Sequence, residues 1–187
     1  MQLRWRHVII NTHSSWLPGS QKGFRSRDHR IHSSGDYKRP PPPGEHDGLL
    51  QYHRDRASPK VEIPSEFRGM VGASLIQYFR TAPYELSALS VSDLHAHFLV
   101  DLPEELPMVK EIVGRAKERA SRVLNKRIDG FRWAAGGTYK FVADADHLSK
   151  AAEYILTRQG PSAWTWCPRC GDPDPNPHRR CPCNHDH

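Results

Sequence analysis

SDLHAHFLVDLP, residues 92–103, is the stretch on which the fold turns. It alternates like a strand, and in a strand residues i and i+2 point to the same face. His95, His97 and Leu99 therefore share one face, while Ala96, Phe98 and Val100 share the other. The second set is apolar and suits a face covered by helices. The first set puts two imidazoles side by side on the opposite face, as a divalent-metal clamp requires. Two surface or hydrogen-bonded histidines on a half-exposed strand would show the same spacing, so the pair alone leaves both readings open.

Upstream, YELSALSVS (84–92) alternates as a strand, with Leu86, Ala88 and Ser90 on one side and Leu89 and Val91 on the other. Before it, Pro64 opens a helix, PSEFRGMVGASLIQYFRTA, in which Phe67, Val71, Leu75 and Phe79 recur every four residues. Downstream, residues 106–128 read as a long amphipathic helix. Val109, Ile112, Val113, Ala116, Ala120, Val123 and Leu124 form its stripe, and basic residues occupy much of the rest. FRWAAGGTYKFVA (131–143) is one strand, or two broken at Gly136 and Gly137. DADHLSKAAEYILTRQG is a final helix, with Asp144 or Asp146 as its cap and Gly160 as its stop. Near the N-terminus, residues 5–16 carry the β-branched run Val8-Ile9-Ile10 and read as a strand. The order β-α-β-β-α-β-α predicts an α+β fold: a ferredoxin-like antiparallel sheet of four or five strands with helices on one face.

Composition adds two appendages to this domain, which is expected to span residues 1–166. From about residue 17 to 58 no period of 2 or 3.6 survives, four prolines stand in a row, and Gly, Ser, Arg, Lys and His dominate. That pattern predicts a long loop insertion or arm. Residues 167–187 form a Cys/His-rich tail holding all four cysteines. Cys167-x2-Cys170 and Cys181-x-Cys183 have the close pairing of a small structural zinc site, with His178, His185 and His187 as substitutes for one thiolate. An unstructured tail of reduced thiols is the other reading. A zinc knuckle here is expected to be separable, so that truncation after Trp166 spares any chemistry done by the main domain.

The chain has 187 residues with 27 Lys and Arg against 21 Asp and Glu, a formal net charge of +6. The pI is near 9.3 and the mean hydropathy −0.72. A polyanionic partner suits this surplus. Arg25, Arg27, Lys38 and Arg39 of the arm, interleaved with Phe24, Tyr37 and Tyr52, would serve phosphate contact and base stacking. Arg115, Lys117, Arg119 and Arg122 of the long helix, with Lys110, Lys126 and Arg127 alongside, offer a second basic surface. A solvated charged loop would have the same composition as the arm. No apolar run approaches the roughly 20 residues of a membrane helix, and the N-terminal run lacks the features of a signal peptide. The expectation is no membrane partner and a cytoplasmic location. A plain ferredoxin-like metabolic binder is disfavoured by the charge and the arm.

Four stretches taken together resemble a known family. LHAHFL carries a His-hydrophobic-His motif, EYILTRQ holds a lone Tyr154, THSSWLPG opens the arm, and GGTYK precedes the last helix. Over roughly residues 7–166 they resemble the single-tyrosine HUH-endonuclease transposases, including the REP-associated tyrosine transposases and small insertion-sequence transposases. The resemblance implies an enzyme that cuts and rejoins single-stranded hairpin DNA. Tyr154 would be the nucleophile that forms a 5′-phosphotyrosine, and His95, His97 and a third polar group would hold Mg²⁺ or Mn²⁺. It also implies a bacterial, nucleoid-associated location, and that a homodimer is possible. One position departs from the family. The third ligand often stands four residues after the tyrosine, where helical geometry stacks it on the same face, but here that residue is Arg158, which has no free lone pair. Gln159 is one residue further, about 140° around an ideal helix, and serves only if the helix loosens before Gly160. His147 lies on the tyrosine face two turns back, and Arg158 could instead grip the scissile phosphate. The departure keeps a second function class open: a non-catalytic DNA-binding protein, decayed or domesticated, or a zinc-bearing regulator on the same fold.

Overall fold

Strand β3 (His95–Pro103) is buried on both faces from Ala96 to Val100, which places it inside a sheet rather than at an edge. The computed structural model describes residues 2–15, 17–19, 34, 39, 41–174, 176 and 180–183. In it β3 joins β1 (Leu3–Asn11), β2 (Leu86–Val91), β4 (Thr138–Phe141) and β5 (Trp164–Trp166) in an antiparallel five-stranded sheet of order β4-β1-β3-β2-β5. The chain forms two compact units, Met1–Thr12 with Val61–His187, and His13–Lys60. The sheet belongs to the first.

On one face of the sheet lie α2 (Ser65–Arg80) and α3 (Leu106–Leu124). Val71, Leu75 and Phe79 of α2 and the stripe Val109, Ile112, Val113, Ala116 and Ala120 of α3 bury against Val8, Ile10, Ala96, Phe98 and Val100. Full burial of each such aliphatic side chain is worth about 1.5–3 kcal/mol before chain entropy is counted. Trp164 and Trp166 of β5 fill the same core. Gly72 makes room for them, since a Cβ there would stand 2.2 Å from the Trp164 ring.

The other face is not open. Helix α4 (Ala145–Thr157) lies on it, packing Ala151, Ile155 and Leu156 against Ala88 and Leu99. The expectation of helices on one face is therefore corrected: the sheet carries helices on both. The cause is Leu99, which shares the histidine face and is fully buried there. An apolar patch on that face needs a cover, and the stripe of α4 supplies it.

Several boundaries also differ. A bulge between Leu86 and Ala88 turns Leu86 into the core beneath α2 and α3, so it does not share a face with Ala88 and Ser90. The long helix ends at Leu124, short of residue 128. Among the described residues the 131–143 segment forms ladder pairs at Thr138–Phe141 and an isolated bridge from Trp133 to Thr12, with Gly136 at φ +73° between. Strand β5 is three residues long, too short to show a period.

The second unit contains a helix where the sequence predicts a loop: α1 (Asp47–Arg56). None of its residues is buried. Gly19, at φ +89°, passes so close to Leu50 that a Cβ would lie 2.5 Å from the Leu50 nitrogen. Tyr52 is exposed, with the Arg56 guanidinium 3.9 Å above its ring. Within the same unit, Ser34 donates its backbone N–H to Glu45 Oε1 at 2.7 Å.

Candidate active site

Cross-strand register builds the centre of the α4 face. Pairing of β1 with β3 sets Ile9 opposite His97, Asn11 opposite His95 and His7 opposite Leu99. His7 thus stands diagonally across from His97 on the same face, and its Nε2 lies 2.9 Å from His97 Nδ1, so one imidazole donates an N–H and the other accepts. The ring centroids of His95 and His97 are 4.8 Å apart. On the far side of β3, Ser90 is paired with His97, and its buried Oγ has no hydrogen-bond partner among the described residues.

His97 and His7 are held neutral. Burial, then the charges of His95, His7 and Lys140, push His97 down to about 3. Burial, then Lys140 and His147, push His7 down to about 4. Lys140 comes from β4, directly opposite His7, and is exposed. A neutral imidazole keeps one lone pair, which makes it a metal ligand or a hydrogen-bond acceptor.

Helix α4 delivers the tyrosine. Asp144 caps its start, its side chain accepting the His147 N–H at 2.8 Å. Ala151 and Ile155 face inward, so Tyr154 projects from the flank, 46% exposed, with its ring 5.9 Å from that of His97 and 6.0 Å from that of His7. The helix stops at Thr157, and Arg158 serves as its C-cap. Gln159 is then no longer bound by helical angles. It turns back, its Nε2–H donating to the Tyr154 carbonyl at 3.3 Å, while His95 Nε2–H donates to Gln159 Oε1 at 3.3 Å. Gly160, at φ +88°, completes the turn. His95, His97, Tyr154 and Gln159 thus come together in one chain. Arg158 is exposed beside them, and His147 Nδ1 accepts the Ala143 N–H at 3.2 Å. The sequence alone does not single out His7, Lys140 or Ser90. Alternation sets His7 opposite in direction to Val8 and Ile10, but its place beside His97 requires the register.

Two imidazoles and an amide oxygen are a mixed N/O donor set of the kind divalent ions such as Mn²⁺ accept. His97, with Nδ1 engaged by His7, keeps Nε2 for a ligand bond.

The basic residues of α3 are not brought to this place. They lie beyond the opposite face of the sheet, where Arg115 pairs with Glu111 at 2.6 Å and Arg122 with Glu118 at 2.5 Å. Lys117 is half-buried and donates to the carbonyls of Ala134 and Gly136 at 2.6 and 2.8 Å, so it ties the 131–137 segment down. Arg119 is exposed. Arg39 is exposed in the second unit, while Arg25, Arg27 and Lys38, with Phe24 and Tyr37, lie outside the described residues. His178, His185 and His187 do too.

The four cysteines form a second constellation. Their sulfurs all lie within 4.8 Å of one another and none is in a disulfide. This group can hold a metal ion such as zinc.

No protein-family model and no curated protein matches the chain. Among solved structures, the chain is similar to a REP-associated tyrosine transposase bound to a REP hairpin. Identity is 14%, the match covers 83% of this chain and 66% of that one, and the TM-score is 0.45. The chain thus spans slightly less than two thirds of that protein. The likeness is a distant one of fold, and no residue role is carried across from it.

Proposed function

We propose that the protein is a divalent-metal-dependent nuclease and strand transferase acting on single-stranded, hairpin-bearing DNA through Tyr154. The observation that carries this is the convergence of Tyr154 with His95, His97 and Gln159, which the sequence places 57 or more residues away in the case of the histidines and beyond a helix end in the case of Gln159. The resemblance of the motifs around these residues to single-tyrosine transposases supplies the substrate class.

In the proposed step the Tyr154 oxygen, its proton lost to solvent, attacks the scissile phosphorus. A phosphorus–oxygen bond to tyrosine forms as the bond to the 3′ oxygen breaks, and that oxygen leaves as a 3′-hydroxyl. The phosphotyrosine conserves the ester, so the reverse attack by a 3′-hydroxyl rejoins strands with no external energy source. His95, His97 and Gln159 would hold Mg²⁺ or Mn²⁺, whose chemistry when bound is to polarise a phosphoryl oxygen and offset the charge that builds there. His7 would act through His97: were its Nε2, 2.9 Å away, to accept the Nδ1–H, it would fix the ring and its tautomer and leave the Nε2 lone pair for the ligand bond. Lys140 and Arg158, exposed at the rim, are placed for backbone phosphates. Gln159, freed by the helix end, takes the ligand role that Arg158 cannot, which is the support for an active enzyme over a decayed DNA-binding protein.

The test is a covalent one. Hairpin DNA with a single-stranded flank, incubated with protein and Mn²⁺, should yield an adduct that mass spectrometry maps to Tyr154. Tyr154→Phe should remove the adduct and retain DNA binding. Equal adduct in the Phe variant, or no adduct with any hairpin the wild type binds, overturns the assignment.

A further inference from the structure

The tail does not stand apart from the domain. Cys167 follows β5 directly and is 3% exposed, inside the same apolar cluster as Ala151, Ile155 and Leu156 of α4 and Ala88 and Leu99 of the sheet. Cys170, Cys181 and Cys183 pack at the margin of that cluster. The cysteines therefore back the helix whose flank carries Tyr154, next in sequence to Ile155.

Apolar packing by the tail's own side chains cannot explain why it stays there. From Cys167 to His187 there is no Leu, Ile, Val, Met, Phe, Tyr or Trp, so it has no core to build. What holds it is a set of polar contacts around the sulfurs, among them Arg80 of α2 on Asp172 at 2.7 Å and Trp166 Nε1–H on the Gly171 carbonyl at 2.9 Å. Residues 168–170 form a single 3₁₀ turn, closed by Cys170 N–H on the Cys167 carbonyl at 2.9 Å, with Gly171 at φ +71° leading away. The second pair is pinned by Cys181 N–H on Thr165 Oγ1 of β5 at 2.7 Å. Trp164 Nε1–H donates to the Asp174 carbonyl at 3.1 Å between the two pairs.

The sulfur separations are 3.1 Å for Cys170–Cys181, 3.4 Å for Cys167–Cys181, 3.7 Å for Cys170–Cys183 and 3.8 Å for Cys167–Cys170. These exceed a disulfide bond of about 2.05 Å. They approach the ~3.8 Å tetrahedron edge that follows from zinc–sulfur bonds of ~2.3 Å.

We propose that the four cysteines hold one structural zinc ion whose role is to brace the back of α4, so that occupancy of the thiolate site sets the position of Tyr154. On binding, each thiol that was protonated loses its proton to solvent and a zinc–sulfur bond forms; nothing is oxidised. Four protein ligands close the coordination sphere, so this ion takes no part in phosphoryl chemistry. Because the tail lacks a core, zinc supplies its folding free energy. Removing the ion releases the tail, uncovers Cys167 and the inner face at Ile155 and Leu156, and loosens α4. On this proposal truncation after Trp166 impairs the chemistry, contrary to the expectation that a separable knuckle would spare it. The structural half of this proposal stands on its own, and only its catalytic consequence rests on Tyr154 being the nucleophile.

The experiment uses the full-length protein purified with zinc, the same protein stripped by chelation, and the variants Cys167→Ser and Cys183→Ser. Elemental analysis should give one zinc per chain, and cobalt substitution should show thiolate charge-transfer and tetrahedral d–d bands. Hydrogen exchange in residues 145–157 should accelerate on stripping while residues 106–124, on the opposite face, stay protected. Adduct formation with hairpin DNA and Mn²⁺ should fall about tenfold or more in the stripped protein, as for a misplaced reacting group, and return when zinc is restored. Cys183→Ser, at the less buried end, gives a folded chain with weakened zinc affinity should Cys167→Ser fail to fold. Less than about 0.2 zinc per chain with all thiols titratable overturns the site. Zinc present with α4 exchange unchanged on stripping overturns the brace. Zinc present, α4 braced, and no adduct in either state supports the brace and sinks the nucleophile assignment instead.

Discussion

His97 is the residue on which the site turns, because it meets His7 on one side, His95 on another and Tyr154 above. Its proton affinity carries a stability signature. An unfolded imidazole titrates near 6.5, whereas His97 is held at about 3 and His7 at about 4 in the fold. Both folded values lie below the unfolded one. The stability they lend is therefore full above about pH 6.5 and is lost as pH falls through 6.5 toward the folded values. His95, Lys140 and His147, which face the pair, are the charges that deepen the effect. The expected outcome, in metal-free buffer, is a melting temperature that drops by several degrees between pH 7.5 and 4.5, and a shallower drop in His7→Asn/His97→Asn. Equal slopes in the two proteins would place the acid sensitivity elsewhere. The shared face of His95 and His97 follows from the strand period, whereas helical spacing groups Tyr154 with Ala151 and Ile155 as a core aromatic, and only the resemblance of the motif around it singles it out. His7 was not legible in the sequence, since its partner lies 90 residues away and only strand register joins them. Gln159 was half legible: its distance from Tyr154 was countable, but its direction depended on where the helix stopped.

At the scale of elements, β5 and α4 decide how the site is held, and both were hard to foresee. The stripe of α4 was readable, yet which sheet face it would choose was not, because Leu99 sits in a run that is apolar on both sides. β5 is only Trp164, Thr165 and Trp166, but it divides its side chains between two tasks. The tryptophans enter the core under α2, while Thr165 anchors Cys181 on the α4 side. α2 can reach this strand only because residue 72 is glycine. Gly72→Ala would put a methyl 2.2 Å from a ring carbon of Trp164, and a buried indole has little space into which to retreat. Overpacking of this kind costs about 1–3 kcal/mol, more than alanine's helix preference of about 1 kcal/mol returns. The expected result is a lower urea midpoint with unchanged slope, measured by tryptophan fluorescence. A variant as stable as wild type would mean that α2 and β5 are further apart than described.

Across the first compact unit the sheet separates two kinds of positive charge. On the α3 face, Arg115 and Arg122 are paired with glutamates one turn away and Lys117 is spent on backbone carbonyls. On the α4 face, Lys140 and Arg158 stand exposed around the tyrosine and histidines. Net charge alone could not distinguish them, since helical periodicity makes α3 look the more basic surface. A nucleic acid engaged by the proposed site must pass over the second group. Removing one cation that neutralises a phosphate lowers the slope of log affinity against log salt by about 0.7 for single strands. Lys140→Ala/Arg158→Ala should therefore weaken binding to hairpin DNA and reduce the salt slope by about 1–2, whatever the DNA sequence. Arg115→Ala/Arg119→Ala/Arg122→Ala removes more charge from the molecule yet should leave the slope nearly unchanged, because long-range attraction between exposed charges is screened within about 10 Å at 0.1 M salt. Fluorescence anisotropy titrations at four salt concentrations decide between the faces. A slope that falls in the α3 variant and holds in the Lys140/Arg158 variant would put the DNA on the side of the sheet away from Tyr154, and the proposed chemistry could not stand.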